Sequence, residues 1–171
     1  MRWTRKIHRW TGLSLLVFFV LLALSGILLG WKKNSMGYIL PDTKKGQSTE
    51  LQNWLPIDSL SRLALAASNK YLGQSEIDRI DIRPEKGVAK FTFKGHYLEI
   101  QIDGSTGEVL QSSIRRSDWI EQIHDGSIVD LTLGWKAGIF KIMYTSIMGI
   151  SLLIFAATGF WLWYGPKKMK E

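Results

Sequence analysis

Hydrophobic and polar positions divide this chain into stretches with different periods. From Trp10 to Trp31 no charged residue occurs, and the run Trp10-Thr-Gly-Leu-Ser-Leu-Leu-Val-Phe-Phe-Val-Leu-Leu-Ala-Leu-Ser-Gly-Ile-Leu-Leu-Gly-Trp31 is apolar almost throughout. A helix needs about 20 apolar residues to cross a bilayer core, and this run supplies them. A second uncharged run, Ile142 to Gly165, closes on Phe160-Trp161-Leu162-Trp163-Tyr164 and stops at Pro166. Tryptophans at the run ends suit the membrane–water interface. Two transmembrane helices are the expectation.

The segment between them reads differently. Residues 57–72 carry Leu60, Leu63, Ala64, Ala67 and Tyr71 at helical spacing, with Asp58 and Ser59 as candidate caps and Gly73 as a stop. Alternating runs follow over 76–83, 88–93, 97–103 and 108–111, separated by Pro84, Lys94-Gly95 and Gly104-Ser-Thr-Gly107. Period-two alternation bounded by glycine turns predicts a half-buried antiparallel sheet. One helix on such a sheet is a small α+β layer.

The expected organisation is a cytoplasmic tail over 1–9, a first span over 10–31, a linker over 32–56 and an extracytoplasmic domain over 57–116. An interfacial segment over 117–135, a second span over 136–165 and a cytoplasmic tail over 166–171 complete it. Glycines and prolines (Gly37, Pro41, Gly46, Pro56) mark the linker. A cleaved signal peptide is the alternative for the first run. That run is longer than the usual signal core and no Ala-x-Ala site follows it, so an uncleaved anchor is expected.

Charge changes the picture in one respect. The net +7 invites a nucleic-acid reading. Arg2, Arg5, Lys6 and Arg9 hold +4 of it, and the tail with Lys167, Lys168, Lys170 and Glu171 holds +2, leaving +1 for everything between. Basic ends on apolar helices orient a membrane protein with both termini in the cytoplasm. A nucleic-acid footprint needs a basic stripe on the folded domain, and none is visible. The 171 residues include no cysteine, which excludes disulfides, thiolate metal sites and cysteine nucleophiles. No zinc-protease, nucleophile-elbow, phosphate-loop or dinucleotide motif occurs.

Three sequence elements, taken in order, carry a resemblance. His8-Arg9-Trp10-Thr11-Gly12 opens the first run, Ile123-His124-Asp125-Gly126 precedes the second, and Thr158-Gly159-Phe160-Trp161-Leu162-Trp163 closes it. With the helix and meander ending in Ile102-Asp-Gly-Ser-Thr-Gly-Glu-Val109, this arrangement resembles the PepSY-associated transmembrane family over nearly the whole chain. The implied fold is two transmembrane helices flanking one PepSY-like helix-on-antiparallel-sheet domain in a bacterial inner membrane. Larger members resemble four-span reductases that hold b-type haem and pass electrons outward to ferric siderophores. This chain has half their spans.

The resemblance implies His8 and His124 as haem-iron ligands, with Gly12 one helical turn from His8 leaving room for a flat porphyrin. On residue type alone, His8 is equally an interfacial residue among Lys6 and Arg9, and His124 a polar residue at a helix end. His96 follows the Lys94-Gly95 turn and reads as solvent-exposed. With His8 and His124 expected about 30 Å apart across the membrane core, one chain cannot place both on one iron. The expected assembly is a homodimeric four-helix bundle in lipid, with one or two haem b per dimer and an unidentified electron donor on the cytoplasmic side. A ferric siderophore is the acceptor implied. Gly26, Gly30, Ser146, Gly149 and Ala156 offer small packing positions. Asp125 and Asp130 read either as plain surface carboxylates or as attractors of a cationic acceptor. Two other readings stand: a haem-free, membrane-tethered interaction or peptidase-regulating module, and an accessory subunit of an iron-uptake assembly.

Overall fold

The structure, a computed structural model, describes residues 2–168; Lys170 and Glu171, counted above in the basic tail, lie outside the described residues. Its elements in chain order are α1 (Arg2–Ser14), α2 (Leu16–Gly30), α3 (Ile57–Leu72), β1 (Ile77–Arg83), β2 (Val88–Phe93), β3 (Leu98–Asp103), β4 (Val109–Ile114), α4 (Arg116–Asp125), α5 (Ser127–Leu133) and α6 (Ile139–Lys168). They form two compact units, one of residues 2–30 and 120–168 and the other of residues 31–119.

In the helical unit, α6 with its short 3₁₀ lead-in runs over Lys136–Lys168, 33 residues with a mean hydropathy of 1.9 in its most apolar window. It is long and apolar enough to cross a membrane. The first apolar run is not one straight helix. α1 and α2 meet at Leu15 with a bend of 64°, so the described residues hold one straight candidate span, or two if the bent pair counts as one. At the bend Ser14 Oγ donates back to the Trp10 carbonyl at 2.5 Å, two residues after Gly12. The helix begins ahead of the apolar run: residues 2–9, read above as the cytoplasmic tail, form its first turns.

The second unit is an antiparallel sheet in the order β1-β2-β3-β4 with α3 across one face. Leu60 and Ala64 of α3 bury against Ala89, Phe91, Phe93, Leu98, Ile100 and Ile102. Helix α3 spans the residues its periodicity predicted, but it starts at Ile57, with Pro56 in the cap position; Asp58 lies in the first turn and pairs with Arg62 at 2.5 Å.

The opposite sheet face departs from expectation. A half-buried sheet leaves its second face to water, yet Lys90, Thr92, Glu99, Gln101 and Asp103 on that face are all buried. Residues 39–48, read above as linker, lie across this face. The Lys44 N–H donates to Gln101 Oε1 at 2.9 Å, Gln101 Nε2 donates to the Asp42 carbonyl at 2.9 Å, and the Gln47 N–H donates to Asp103 Oδ2 at 2.7 Å. Buried polar groups need partners, and the strap supplies them. Glu99 is fully buried beneath Arg115 and Gln101, with Lys90 at 3.5 Å. Burial alone would raise the Asp103 carboxyl. Hydrogen bonds from Ser105, Thr106 and Gln47 outweigh it and hold the group below the usual carboxylate range.

Candidate functional site

The two sequence-predicted histidines both belong to the helical unit, and each is held by one hydroxyl. His8 Nδ1 lies 2.9 Å from Thr158 Oγ1, across the packing of α1 on α6. Thr158 Oγ1 lies 2.7 Å from the Ile154 carbonyl, to which its one hydrogen is donated. It is therefore the acceptor towards His8. The proton is thereby assigned to Nδ1, and Nε2 keeps its lone pair. His124 on α4 repeats the device. Its Nδ1 lies 2.8 Å from Ser25 Oγ of α2, and Ser25 Oγ donates to the Leu21 carbonyl at 2.6 Å. Neither imidazole Nε2 has a hydrogen-bond partner among the described residues.

Small residues set each ring. Phe155 stacks on His8 with centroids 4.0 Å apart and planes at 22°. A Cβ at Gly159 would stand 3.4 Å from His8 Cε1, and one at Gly26 would stand 3.5 Å from His124 Cε1. Gly12 lines the same cleft as His8, and Phe155 closes on it. A Cβ there would lie 2.8 Å from Phe155 Cε2, so the space it leaves holds the Phe155 ring. Gly26, expected to offer a free packing face, takes His124, whereas Gly30 and Gly149 have open space.

Both histidines line apolar grooves. A cleft of about 770 Å³ is bounded by His8, Arg9, Leu13, Leu16, Phe19 and Phe155, among others. A smaller cavity of about 230 Å³ includes His124, Tyr144, Met148 and Gly149. Phe19, Leu22 and Leu152 line both. His8 meets Thr158 of α6, whereas Asp125 and Gly126, next to His124, meet Lys141 and Tyr144 near the start of the same helix. At 1.5 Å rise per residue those positions are roughly 20 Å apart along α6, too far for one iron.

The family model of the PepSY-associated TM region matches residues 5–170. The chain belongs to this family. No curated protein matches it. The three elements read from the sequence now have physical roles. Thr158-Gly159 supplies the acceptor and the space for the His8 ring. In Ile123-His124-Asp125-Gly126, Asp125 Oδ2 pairs with Lys141 at 2.5 Å while its Oδ1 accepts the Ser127 N–H at 2.9 Å. Burial alone would raise that carboxyl; the bonds from Lys141 and Ser127 lower it instead. Gly126 sits at φ 79°, where a side chain is strained, and a Cβ would lie 2.9 Å from Tyr144 Cδ1.

Of the two carboxylates considered as acceptor attractors, both are engaged in structure. Asp130 is buried and accepts the Phe140 and Lys141 N–H groups, each at 2.9 Å, which caps the start of α6. His96 is exposed in its turn, as expected. Among the described residues no group of three or more His, Cys, Asp or Glu side chains could hold a metal ion. Sequence reasoning missed Ser25, Thr158 and Phe155 as histidine partners. The available signal was polar residues inside apolar helices, which must find a bond there.

Proposed function

We propose that this chain is a membrane b-type haem protein that passes electrons across the bacterial inner membrane to a ferric, siderophore-type acceptor. Its working form is a homodimeric four-helix bundle, with termini in the cytoplasm and the sheet unit outside. The observation that carries this reading is the pair of histidines, each held at Nδ1 by a hydroxyl, without a bond at Nε2 among the described residues, and each lining an apolar groove. A histidine that ligates a metal uses its second ring nitrogen in this way, to fix tautomer and orientation. When bound, haem b supplies one-electron carriage at a potential tuned by its axial ligands and surroundings.

The residues fit such a group. The cleft beside His8 falls within the volume range of ligand sites, and its lining is apolar apart from His8 and Arg9. Arg9 places a guanidinium at the same cleft, suited to a carboxylate side arm. His8 and His124 would hold iron; Gly12 keeps Phe155 flat against His8. Because the two histidines of one chain are too far apart to share an iron, paired ligation calls for a second copy.

An absorption spectrum of protein purified in mild detergent tests the reading. A Soret band and a dithionite-sharpened α band of b type are expected. Colourless protein after expression with ample haem would refute it and favour a membrane-tethered interaction module.

A further inference from the structure

The turn that follows α2 is built in an unusual way. Trp31 is 65 % exposed, Tyr38 67 % and Met36 97 %, the last at φ 50° in the left-handed region that non-glycine residues avoid. Three apolar side chains stand out of one short segment that begins one residue after the apolar helix ends at Gly30. The segment is not loose chain. The Asn34 N–H donates to the Trp31 carbonyl at 2.9 Å and the Tyr38 N–H to the Ser35 carbonyl at 3.0 Å. Ser35 Oγ donates to the Lys32 carbonyl at 2.8 Å and accepts the Ile39 N–H at 2.9 Å. These bonds pair the backbone on either side of Met36 and lower the cost of bringing the turn to the edge of a low-dielectric layer.

Charge surrounds that tip. Lys32 and Lys33 precede it, and Arg116 lies over the Tyr38 ring at 4.3 Å while its Nη1 donates to the Tyr38 carbonyl at 3.0 Å. Asp42 stands behind Gly37. Tryptophan and tyrosine favour the headgroup level of a bilayer, and lysine or arginine beside them favours anionic headgroups.

We propose that the Trp31–Tyr38 turn is a foot that docks the sheet unit onto a lipid surface. Met36, Trp31 and Tyr38 enter the boundary between headgroups and acyl chains, and Lys32, Lys33 and Arg116 bind anionic headgroups. The inference rests on reading α2 as membrane-embedded, and its experiment separates the two claims.

The chain contains no cysteine, so Met36→Cys and Leu24→Cys each give a single site for a nitroxide label. Met36 packs against almost nothing, so its replacement disturbs no contact. The labelled full-length variants would be reconstituted in nanodiscs containing phosphatidylglycerol, and power saturation compared in oxygen and in a water-soluble nickel chelate. The expected result is a label at Met36 that oxygen relaxes several-fold more than nickel does, and a label at Leu24 deeper still. Nickel dominance at Met36 with oxygen dominance at Leu24 would overturn the foot and leave the span standing. Nickel dominance at both would overturn foot and span together. Dipolar broadening at Met36 together with low accessibility to both oxygen and nickel would show a second copy, not lipid, covering the tip, and would overturn the lipid assignment.

Discussion

Thr158→Val is the substitution that bears most directly on how His8 is held. Valine keeps the branched shape on α6 and removes only the oxygen that lies 2.9 Å from His8 Nδ1. The His8 Nδ1–H then loses its acceptor in a half-buried site. An unsatisfied donor costs about 1–3 kcal/mol when buried, and the partial exposure here points to the lower half of that range. At about 1.4 kcal/mol per decade, this corresponds to roughly a tenfold loss in an equilibrium that depends on the His8 orientation. The general experience with such supporting bonds, about 10–100-fold in metal affinity, brackets the same figure. The assay is titration of haem into apoprotein in detergent, followed at the Soret band, with Thr158→Ser as the companion that retains the hydroxyl. The account expects valine to weaken binding about tenfold and serine to restore most of it. Equal affinity for wild type and Thr158→Val would refute the reasoning, because the bond would then hold nothing that matters to a ligand.

Asp130→Ala removes the acceptor for two N–H groups at the start of α6, and we expect a loss of about 2 kcal/mol, read as a lowered thermal midpoint; an unchanged midpoint would count against the capping role. Gly126→Ala forces a Cβ into a left-handed position against Tyr144, so about 1–2 kcal/mol of destabilisation is expected in the same melt. Asp103 titrates below the usual carboxylate range in the folded chain. Its contribution to stability is therefore fully present above about pH 4 and is lost as pH falls through the depressed value. Thermal midpoints followed from neutral pH into that acid window should fall in the wild type and fall less in Asp103→Asn.

Periodicity was enough to place α3 and the strands, because one face of each meets the same core of Phe91, Phe93, Ile100 and Ile102. It misjudged the other sheet face. Lys90, Glu99 and Gln101 alternate as solvent-facing residues do, and nothing periodic marks residues 39–48 as the strap that covers them. Hydropathy found both apolar runs, since it sums transfer cost over a window. A window sum says nothing of where a helix breaks, so the bend at Leu15 was invisible. The site was legible in its histidines and in the Thr158-Gly159 and His124-Asp125-Gly126 elements, but not in the pairing of His8 with Thr158 or of His124 with Ser25. Those pairs depend on which helix faces meet, which residue type alone does not encode. Asp125 and Asp130 carried no sequence mark of their capping and pairing roles, because their partners are a lysine and backbone groups of another helix.

The central claim is that His8 and His124 hold haem iron. The most direct measurement is the haem-to-protein ratio by pyridine haemochrome in wild type, His8→Ala and His124→Ala, each purified as folded full-length protein. Haem in the wild type and a clear loss in each variant are expected. Full haem content in both variants would contradict it.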